Sequence, residues 1–279
     1  MIIDSGMDKL PIYEHREAIL DGVQNSLRVL LSAPTGSGKS TQVPQLLLDH
    51  CKGTNKVIYV TQPRRVAARA LARRVANERG TQVGDGVGYE MRFDRSLCEN
   101  TKIIYLTEGV LLRKLLDGNG LREAGAVMLD EFHERTVDVD LCLALIKLLQ
   151  DGPRPDLKLI VSSATLNLQP LIEYLPDCRV VESDGRTFPV EIEHAADGHS
   201  SARPVWERVC KHVGRLVSQH PTGDFLIFLP GLYEIRRTIE ALQNFPAAKG
   251  LRILPLHGDL PAETQDAALI PSDGRKVVV

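Results

Sequence analysis

Residues 33–41, Ala-Pro-Thr-Gly-Ser-Gly-Lys-Ser-Thr, decide the fold, because this stretch follows a short apolar run and ends in Gly-Lys-Ser. Gly36 and Gly38 allow the backbone to turn its N–H groups inward, and Lys39 supplies a charge for the β- and γ-phosphates of a nucleotide. The Ser40 hydroxyl can bind Mg²⁺ at the start of the following helix. The stretch therefore predicts a phosphate-binding loop. The predicted nucleotide-binding set is Gly36, Ser37, Gly38, Lys39, Ser40 and Thr41.

The loop departs from the strict pattern G-x-x-x-x-G-K-[ST] at its first position, which is Ala33. That position mainly closes the turn, so a small residue is acceptable there. Taken alone, the loop is also compatible with an ordinary joint between a strand and a helix.

An acidic pair, Asp130 and Glu131, directly follows the apolar run 126–129, which is typical of a buried parallel strand. In an open α/β sheet, ligands bind at the carboxyl ends of the strands, so the pair is expected near the phosphate-binding loop. Asp130 then holds Mg²⁺ through water, and Glu131 orients and deprotonates the attacking water. A solvated loop start is the alternative, and the upstream loop at Lys39 favours the functional interpretation.

Short apolar runs alternate with helical segments along most of the chain. The runs cover residues 29–31, 57–60, 103–106, 126–129, 159–161 and 179–181. This alternation predicts an α/β fold with a parallel sheet flanked by helices, one of them at 139–149. A segment with Gly and Pro at 184–188 interrupts the alternation and predicts a domain boundary. Beyond it, the sequence predicts helices at 205–217 and 232–242 and strands at 224–229, 252–255 and 276–279.

Composition indicates an enzyme of the reducing cytoplasm. The formal net charge of −2 over 279 residues excludes a globally basic nucleic-acid-binding protein, although six arginines between positions 64 and 79 leave room for a local basic groove. The five cysteines show no C-x-x-C spacing, so the sequence predicts neither zinc nor a disulfide-linked partner. Neither a basic leader nor an apolar run of membrane-spanning length is present, so no membrane partner is expected.

Further segments occur in a fixed order around the acidic pair. They are Thr61–Ala68, Thr107–Gly109, the tetrad Asp130-Glu131-Phe132-His133, Ser163-Ala164-Thr165 and Phe228–Gly231. They resemble motifs Ia, Ib, II, III and IV of the DEAH/RHA-type ATP-dependent helicases of superfamily 2, over nearly the whole chain. Phe132 replaces the usual alanine of the tetrad, and together with residues 184–190 it makes the chain most similar to the bacterial HrpB-type branch.

The resemblance implies tandem RecA-like domains of the P-loop NTPase class that bind ATP and Mg²⁺. It implies a first domain at 1–184, a linker with the first strand of the second domain at 185–201, and a partial second domain at 202–279.

The resemblance also implies a role for several residues outside the phosphate-binding loop. It implies that Arg64, Arg65 and Thr107 bind nucleic acid and that His133 has a catalytic position near the γ-phosphate. It implies that Ser163 and Thr165 have a coupling role through hydrogen bonds to the tetrad. It also implies that Arg74 stacks on adenine. Ordinary surface arginines, a structural histidine and, for Thr107, a helix N-cap are the alternative interpretations.

The last residues, 276–279, resemble the strand that precedes motif V in this family, and neither motif V nor the arginine-rich motif VI follows. We therefore expect an incomplete helicase whose second domain lacks the family's arginine finger. The expected activity is ATP-driven translocation on single-stranded or partly duplex nucleic acid, with RNA favoured over DNA. A non-catalytic, ATP-dependent nucleic-acid-binding module is the main alternative. A metabolic kinase is the other, and it would leave 61–68 and 163–165 without a role.

Limited proteolysis tests this domain organisation. An incomplete second domain would expose apolar surface, so cleavage near residues 184–202 should leave a stable N-terminal fragment, detectable by electrophoresis and mass spectrometry. Equal resistance of both halves would contradict the prediction.

Overall fold

A computed structural model describes residues 10–50, 56–164, 168–183, 190–195, 203–272 and 274–279. The chain divides into two compact units, Met1–Phe188 and Pro189–Val279. Among the described residues, none of the helices combines the length and the apolar character that a membrane crossing would need.

The described part of the first unit forms an eight-stranded sheet. Its strands are β1 (Arg28–Ser32), β2 (Val57–Gln62), β3 (Val87–Met91), β4 (Asp94–Ser96), β5 (Ile103–Thr107), β6 (Ala124–Leu129), β7 (Lys158–Ser163) and β8 (Cys178–Glu182). The helices are α1 (Arg16–Asn25), α2 (Lys39–His50), α3 (Arg65–Glu78), α4 (Glu108–Leu116), α5 (Val137–Gln150) and α6 (Gln169–Tyr174). Short 3₁₀ turns occur at Pro11–His15 and Phe132–Glu134.

The strand order is β4-β3-β5-β2-β6-β7-β1-β8. Neighbouring strands are parallel except β3 and β4, which form an antiparallel hairpin. The predicted α/β fold with a parallel sheet flanked by helices is thus confirmed. The hairpin was not predicted, because its second strand, Asp94-Arg95-Ser96, is polar and gives no apolar run.

The sheet is buried on both faces, which explains why its central strands read as continuous apolar runs. Val29 and Leu31 of β1 pack into the apolar cluster formed with α1, α2 and α3. Leu30, between them, points to the opposite face and packs into the cluster formed with α4, α5 and α6. The alternation of side chains along a strand therefore divides the core into two layers.

The central strands bring their carboxyl ends to one edge of the sheet. In register, Ser32 at the end of β1 pairs with Ser163 of β7, and Gln62 at the end of β2 pairs with Thr107 of β5. The loops that follow β1, β2, β5, β6 and β7 are consequently neighbours, as ligand sites of open α/β sheets require.

The described part of the second unit contains a three-stranded parallel sheet with the order β10-β11-β9. Its elements are α7 (Val205–Gln219), β9 (Phe225–Leu226), α8 (Leu232–Gln243), β10 (Arg252–Leu254), α9 (Ala262–Leu269) and β11 (Lys276–Val278). The predicted strand at 224–229 is shortened to two residues, and α9 was not predicted. Residues 184–188, the predicted boundary, lie outside the described residues. The two compact units divide between Phe188 and Pro189.

Candidate nucleotide site and adjoining cleft

The loop between β1 and α2 has the backbone that its glycines predict. Gly36 and Gly38 have φ values of 80° and 96°, in the left-handed region that favours glycine. Ala33, at the position of the missing first glycine, keeps a negative φ and is buried. Its N–H donates to the Ser163 carbonyl at 3.0 Å. Alanine is therefore acceptable there, because the turn does not need a left-handed residue at this point.

Lys39 begins α2 and is only 3% exposed, so its ammonium group needs an anionic partner. The partner in this structure is Glu131, whose Oε1 lies 3.2 Å from Lys39 Nζ. Ser40 follows in the first turn, where its carbonyl accepts a hydrogen bond from the Tyr105 hydroxyl at 2.8 Å. The Ser37 hydroxyl is buried and has no hydrogen-bond partner within the described part of the chain.

Asp130 ends up completely buried at the end of β6, and both carboxylate oxygens accept hydrogen bonds. Gln62 donates its side-chain amide to Oδ2 at 2.6 Å, and the Ser162 hydroxyl donates to Oδ1 at 2.6 Å. The Asp130 N–H donates to the Thr61 hydroxyl at 3.1 Å. Donors from β2 and β7, the two strands that flank β6, therefore fix this carboxylate. The sequence could not show this, because Gln62 and Ser162 meet Asp130 only across the sheet.

Glu131 lies beside Asp130 in sequence and has a different environment. Its Oε2 is buried without a hydrogen-bond partner among the described residues, although His133 Nδ1 lies 3.4 Å away. The Ala164 N–H donates to the same Nδ1 at 3.3 Å. Glu131 thus keeps Oε2 available as an acceptor, while Oε1 is paired with Lys39.

The turn that carries Glu131 is strained at both ends. Glu131 and Arg135 have φ values of 51° and 48°, a conformation that costs non-glycine residues roughly 1–2 kcal/mol each. Phe132, between them, is 2% exposed and packs into the core. The Arg135 guanidinium lies 5.2 Å from the Phe132 ring and donates two hydrogen bonds, each of 3.0 Å, to Asp140. Burial of Phe132 and the bidentate ion pair offset the strain and hold the turn in place.

A pocket of about 290 Å³ lies against the phosphate-binding loop. Its lining includes the loop residues Thr35, Gly36 and 38–41 together with Leu10, Leu71, Arg74, Glu78 and Glu131. Arg74 Nε donates to Glu78 Oε1 at 2.6 Å, and the other oxygen of Glu78 accepts from Gln42 and Gln45, each at 2.9 Å. The structure places Arg74 in the lining of the pocket, and its stacking on adenine stays a prediction.

A larger cleft of about 1170 Å³ adjoins the carboxyl ends of β3 and β5. Arg65 and Thr107 line it, and Arg64 lies on the same turn with its guanidinium 3.7 Å from Glu134. Thr107 occupies the N-cap position of α4, but its hydroxyl makes no capping hydrogen bond to the helix. The Thr107 hydroxyl is therefore not used to cap α4.

Phe93, at the tip of the β3–β4 hairpin, borders the same cleft and was missed by the sequence analysis. The ring is 93% exposed and φ is 64°, a turn position that favours glycine or asparagine. Arg92 lies 4.8 Å from the ring centroid. Asp94, next in the chain, is fixed by Arg69 and by the Tyr89 hydroxyl, each at 3.2 Å. The hairpin therefore holds an exposed aromatic ring on an anchored base, at a cost in backbone energy.

The predicted coupling segment is only partly described. Ser163 is buried at the end of β7, whereas the hydroxyl that donates to Asp130 belongs to Ser162, one residue earlier. Ala164 contacts the tetrad through its N–H to His133. Thr165 lies outside the described residues. Hydrogen bonding of Ser163 and Thr165 to the tetrad stays a prediction.

A parallel sheet flanked by helices, with a glycine-rich phosphate-binding loop after one strand and an acidic pair after another, defines a RecA-like P-loop protein. The family model of the DEAD/DEAH box helicases matches residues 13–173, more than half of the chain. The chain belongs to the DEAD/DEAH box helicase family. The resemblance found in the sequence motifs is thus confirmed.

Several relatives match nearly the whole chain. It is 40% identical over 278 residues to the ATP-dependent RNA helicase HrpB of Escherichia coli, covering 98% of this chain and 33% of that protein. It is 36% identical over 273 residues to the ATP-dependent RNA helicase HrpA of Borreliella burgdorferi, covering 97% and 33% respectively. The crystal structure of the Escherichia coli DEAH/RHA helicase HrpB matches with a TM-score of 0.83 at 40% identity, covering 96% of this chain and 34% of that one. The chain spans about a third of the length of these relatives.

The hydrogen bond from Ser162 to Asp130 provides a test of how this carboxylate is held. Ser162→Ala should lower the free energy of unfolding by about 1.5–3 kcal/mol, because a buried charged acceptor loses a donor. Urea unfolding followed by circular dichroism measures this loss. In the Asp130→Asn background the same substitution should cost roughly half as much, because the acceptor is neutral. An equal loss in both backgrounds would show that Ser162 stabilises the strand by other means.

Proposed function

We propose that this chain is the ATPase portion of an ATP-dependent RNA helicase, which hydrolyses ATP with Mg²⁺ to drive movement along a single strand. The observation that carries the proposal is the buried ion pair between Lys39 of the phosphate-binding loop and Glu131 of the acidic tetrad, 3.2 Å apart. The names of the two relatives, both ATP-dependent RNA helicases, support the same function.

The residues at the loop fit a nucleoside triphosphate. Lys39 is a buried cation whose anionic partner, Glu131, can be exchanged for phosphate oxygens. Gly36 and Gly38 line the pocket, and the backbone N–H groups of a left-handed glycine turn can act as further donors. The left-handed glycines also permit a phosphate to approach the backbone closely.

The residues also fit Mg²⁺, which prefers oxygen ligands and keeps several of its own waters. Ser40 supplies a hydroxyl in the first turn of α2, and Asp130, directly after β6, supplies a carboxylate that would reach the ion through its waters. Bound Mg²⁺ would neutralise negative charge on the phosphate oxygens.

The geometry supports different tasks for the two carboxylates. Both oxygens of Asp130 already accept short hydrogen bonds, from Gln62 and Ser162, so this carboxylate is fixed in position. Glu131 has one oxygen with no such donor, which can accept a proton from water. Engagement of Lys39 by phosphate would release the other oxygen as well. Glu131 is therefore the general base. His133 lies beside it and accepts a hydrogen bond from the Ala164 N–H.

The larger cleft fits a single strand of nucleic acid. Arg65 offers a positive charge to backbone phosphates, and Thr107 offers a hydroxyl. The exposed ring of Phe93 offers a surface on which an unpaired base of a single strand can stack. RNA is the proposed strand because the relatives are RNA helicases, and a DNA strand of the same sequence is the comparison that distinguishes the two.

Nucleotide binding and turnover test the role of the ion pair. Lys39→Ala should abolish ATP binding, measured by calorimetry, because it removes the phosphate partner. Glu131→Gln should keep binding and lower phosphate release by about 100-fold or more, because the base is lost. Lys249→Ala, the same change at an exposed lysine, is the control and should alter neither. Binding of ATP without turnover in the unsubstituted chain, with or without RNA, would favour a nucleotide-dependent binding module over an ATPase.

Nucleic-acid affinity tests the role of Phe93. Phe93→Ala should weaken binding of single-stranded oligo(U) by a factor that corresponds to about 1–3 kcal/mol, the usual contribution of one stacked base. Fluorescence anisotropy measures the affinity. Phe93→Asn should weaken binding equally while raising the melting temperature, because asparagine tolerates the left-handed turn. Tyr174→Ala, at an exposed aromatic residue of α6, serves as the control; unchanged affinity of both Phe93 variants would contradict the assignment.

A further inference from the structure

Glu108 is a buried acid that the proposed function does not use. It is the first residue of α4, directly after Thr107, and it is 6% exposed. Its Oε2 accepts a hydrogen bond from the Thr136 hydroxyl. Its Oε1 is buried and has no hydrogen-bond partner in the part of the chain that the structure describes. A glutamate at a helix N-terminus is common, but one with an unsatisfied buried oxygen is destabilising and needs a reason.

The surroundings of Glu108 add to this cost. Burial raises the pKa of its carboxyl, against the hydrogen bond from Thr136, and the nearby carboxylates of Asp138, Glu134 and Asp140 raise it further. All three carboxylates belong to the segment that runs from the tetrad into α5. The Cys142 thiol of α5 donates to the Glu108 carbonyl at 3.7 Å, so α5 contacts residue 108 at a second point.

Thr136 connects this carboxyl to the nucleotide site. It directly follows Arg135, the left-handed residue that ends the strained turn begun at Glu131. Its hydroxyl donates to Glu108 and accepts the N–H of Val139 at 3.1 Å, which caps α5. The cap alone requires only an acceptor, so the donated hydrogen bond to Glu108 is additional to it.

We infer that Glu108 and Thr136 are positioning residues that couple nucleotide binding at Glu131 to the strand-binding cleft at Thr107. The inference rests on the proposed function. The chain provides a continuous connection of six residues from Glu131 to Thr136, and one hydrogen bond continues it to Glu108. Thr107, the residue directly before Glu108, lines the cleft.

The strained turn is the element that can take two arrangements. While Glu131 is paired with Lys39, the ion pair holds the turn with left-handed residues at both ends. Phosphate binding at Lys39 would release Glu131 and change the preferred backbone of the turn. A ligand shifts such an equilibrium only through its different affinity for the two arrangements, and the exchange of ion-pair partners supplies that difference. Displacement of Thr136 would then move the start of α4 and with it Thr107.

Linkage between the two ligands measures this coupling directly. The dissociation constant of a fluorescent single-stranded oligo(U) is determined for the full chain without nucleotide and with a saturating non-hydrolysable ATP analogue and Mg²⁺. The ratio of the two constants is expected to differ from one by about fivefold or more. Because coupling is reciprocal, the same factor should appear in the affinity for the analogue measured with and without oligo(U).

Two substitutions remove the hydrogen bond from opposite sides. Thr136→Val deletes the donor, and Glu108→Met replaces the carboxyl with an apolar side chain of similar length while leaving the α5 cap intact. Both should bring the ratio to near one, while the analogue alone binds within about twofold of its original affinity. Glu108 also lines the cleft, so its variant is judged by the ratio and not by its affinity for oligo(U) alone. Thr136→Ser keeps both the cap and the hydrogen bond and should restore the ratio.

A purely structural role gives a different result. Glu108→Met removes a buried unsatisfied oxygen, so its melting temperature should be unchanged or higher even as the coupling is lost. Retention of the ratio in both variants, or loss of the ratio in proportion to loss of stability, would overturn the inference. A ratio of one in an unsubstituted chain that binds both ligands would also overturn it. A chain that binds neither ligand would instead contradict the proposed function, and the inference would fall with it.

Discussion

The arrangement of the site depends on the burial of one positive charge. Lys39 is almost inaccessible at the start of α2, and a buried ammonium group is tolerated only beside an anion. In this structure the anion is Glu131, at the end of a strand two positions away in the sheet. The requirement for charge compensation therefore brings the phosphate-binding loop and the acidic tetrad together. It also makes the pair exchangeable, because phosphate oxygens satisfy the same requirement.

Adjacent carboxylates acquire different chemistry from the hydrogen bonds around them. Asp130 is fixed by donors from two neighbouring strands, whereas Glu131 sits on a strained turn and keeps an oxygen without a donor. Phe132 anchors that turn in the core. A phenylalanine at this position thus has a packing role, which an alanine could fill only in part. The proposed roles of Asp130 as a fixed metal ligand and of Glu131 as a general base rest on these contacts rather than on residue type.

Among the described residues, three of the five non-glycine residues with a left-handed backbone lie beside the proposed sites. Glu131 and Arg135 enclose the turn between the nucleotide site and α5, and Phe93 lies at the tip of the hairpin beside the cleft. Each is a non-glycine residue in the left-handed region, held there by surrounding contacts. Conformations of this kind persist only when the rest of the structure over-determines them, and they cluster at functional sites. The hydrogen bond between Thr136 and Glu108 links the end of the first of these regions to the start of α4.

The sequence by itself determined the class of fold and the chemistry of the loop. Apolar runs such as 126–129 identify buried parallel strands, and the Gly-Lys-Ser run fixes a phosphate-binding turn, because both are local patterns with a local physical cause. Only the tertiary structure revealed that Gln62 and Ser162 hold Asp130, that Thr136 reaches Glu108, and that Phe93 stands exposed beside the cleft. These contacts join residues far apart in the chain through sheet register and turn geometry, which a linear pattern does not encode.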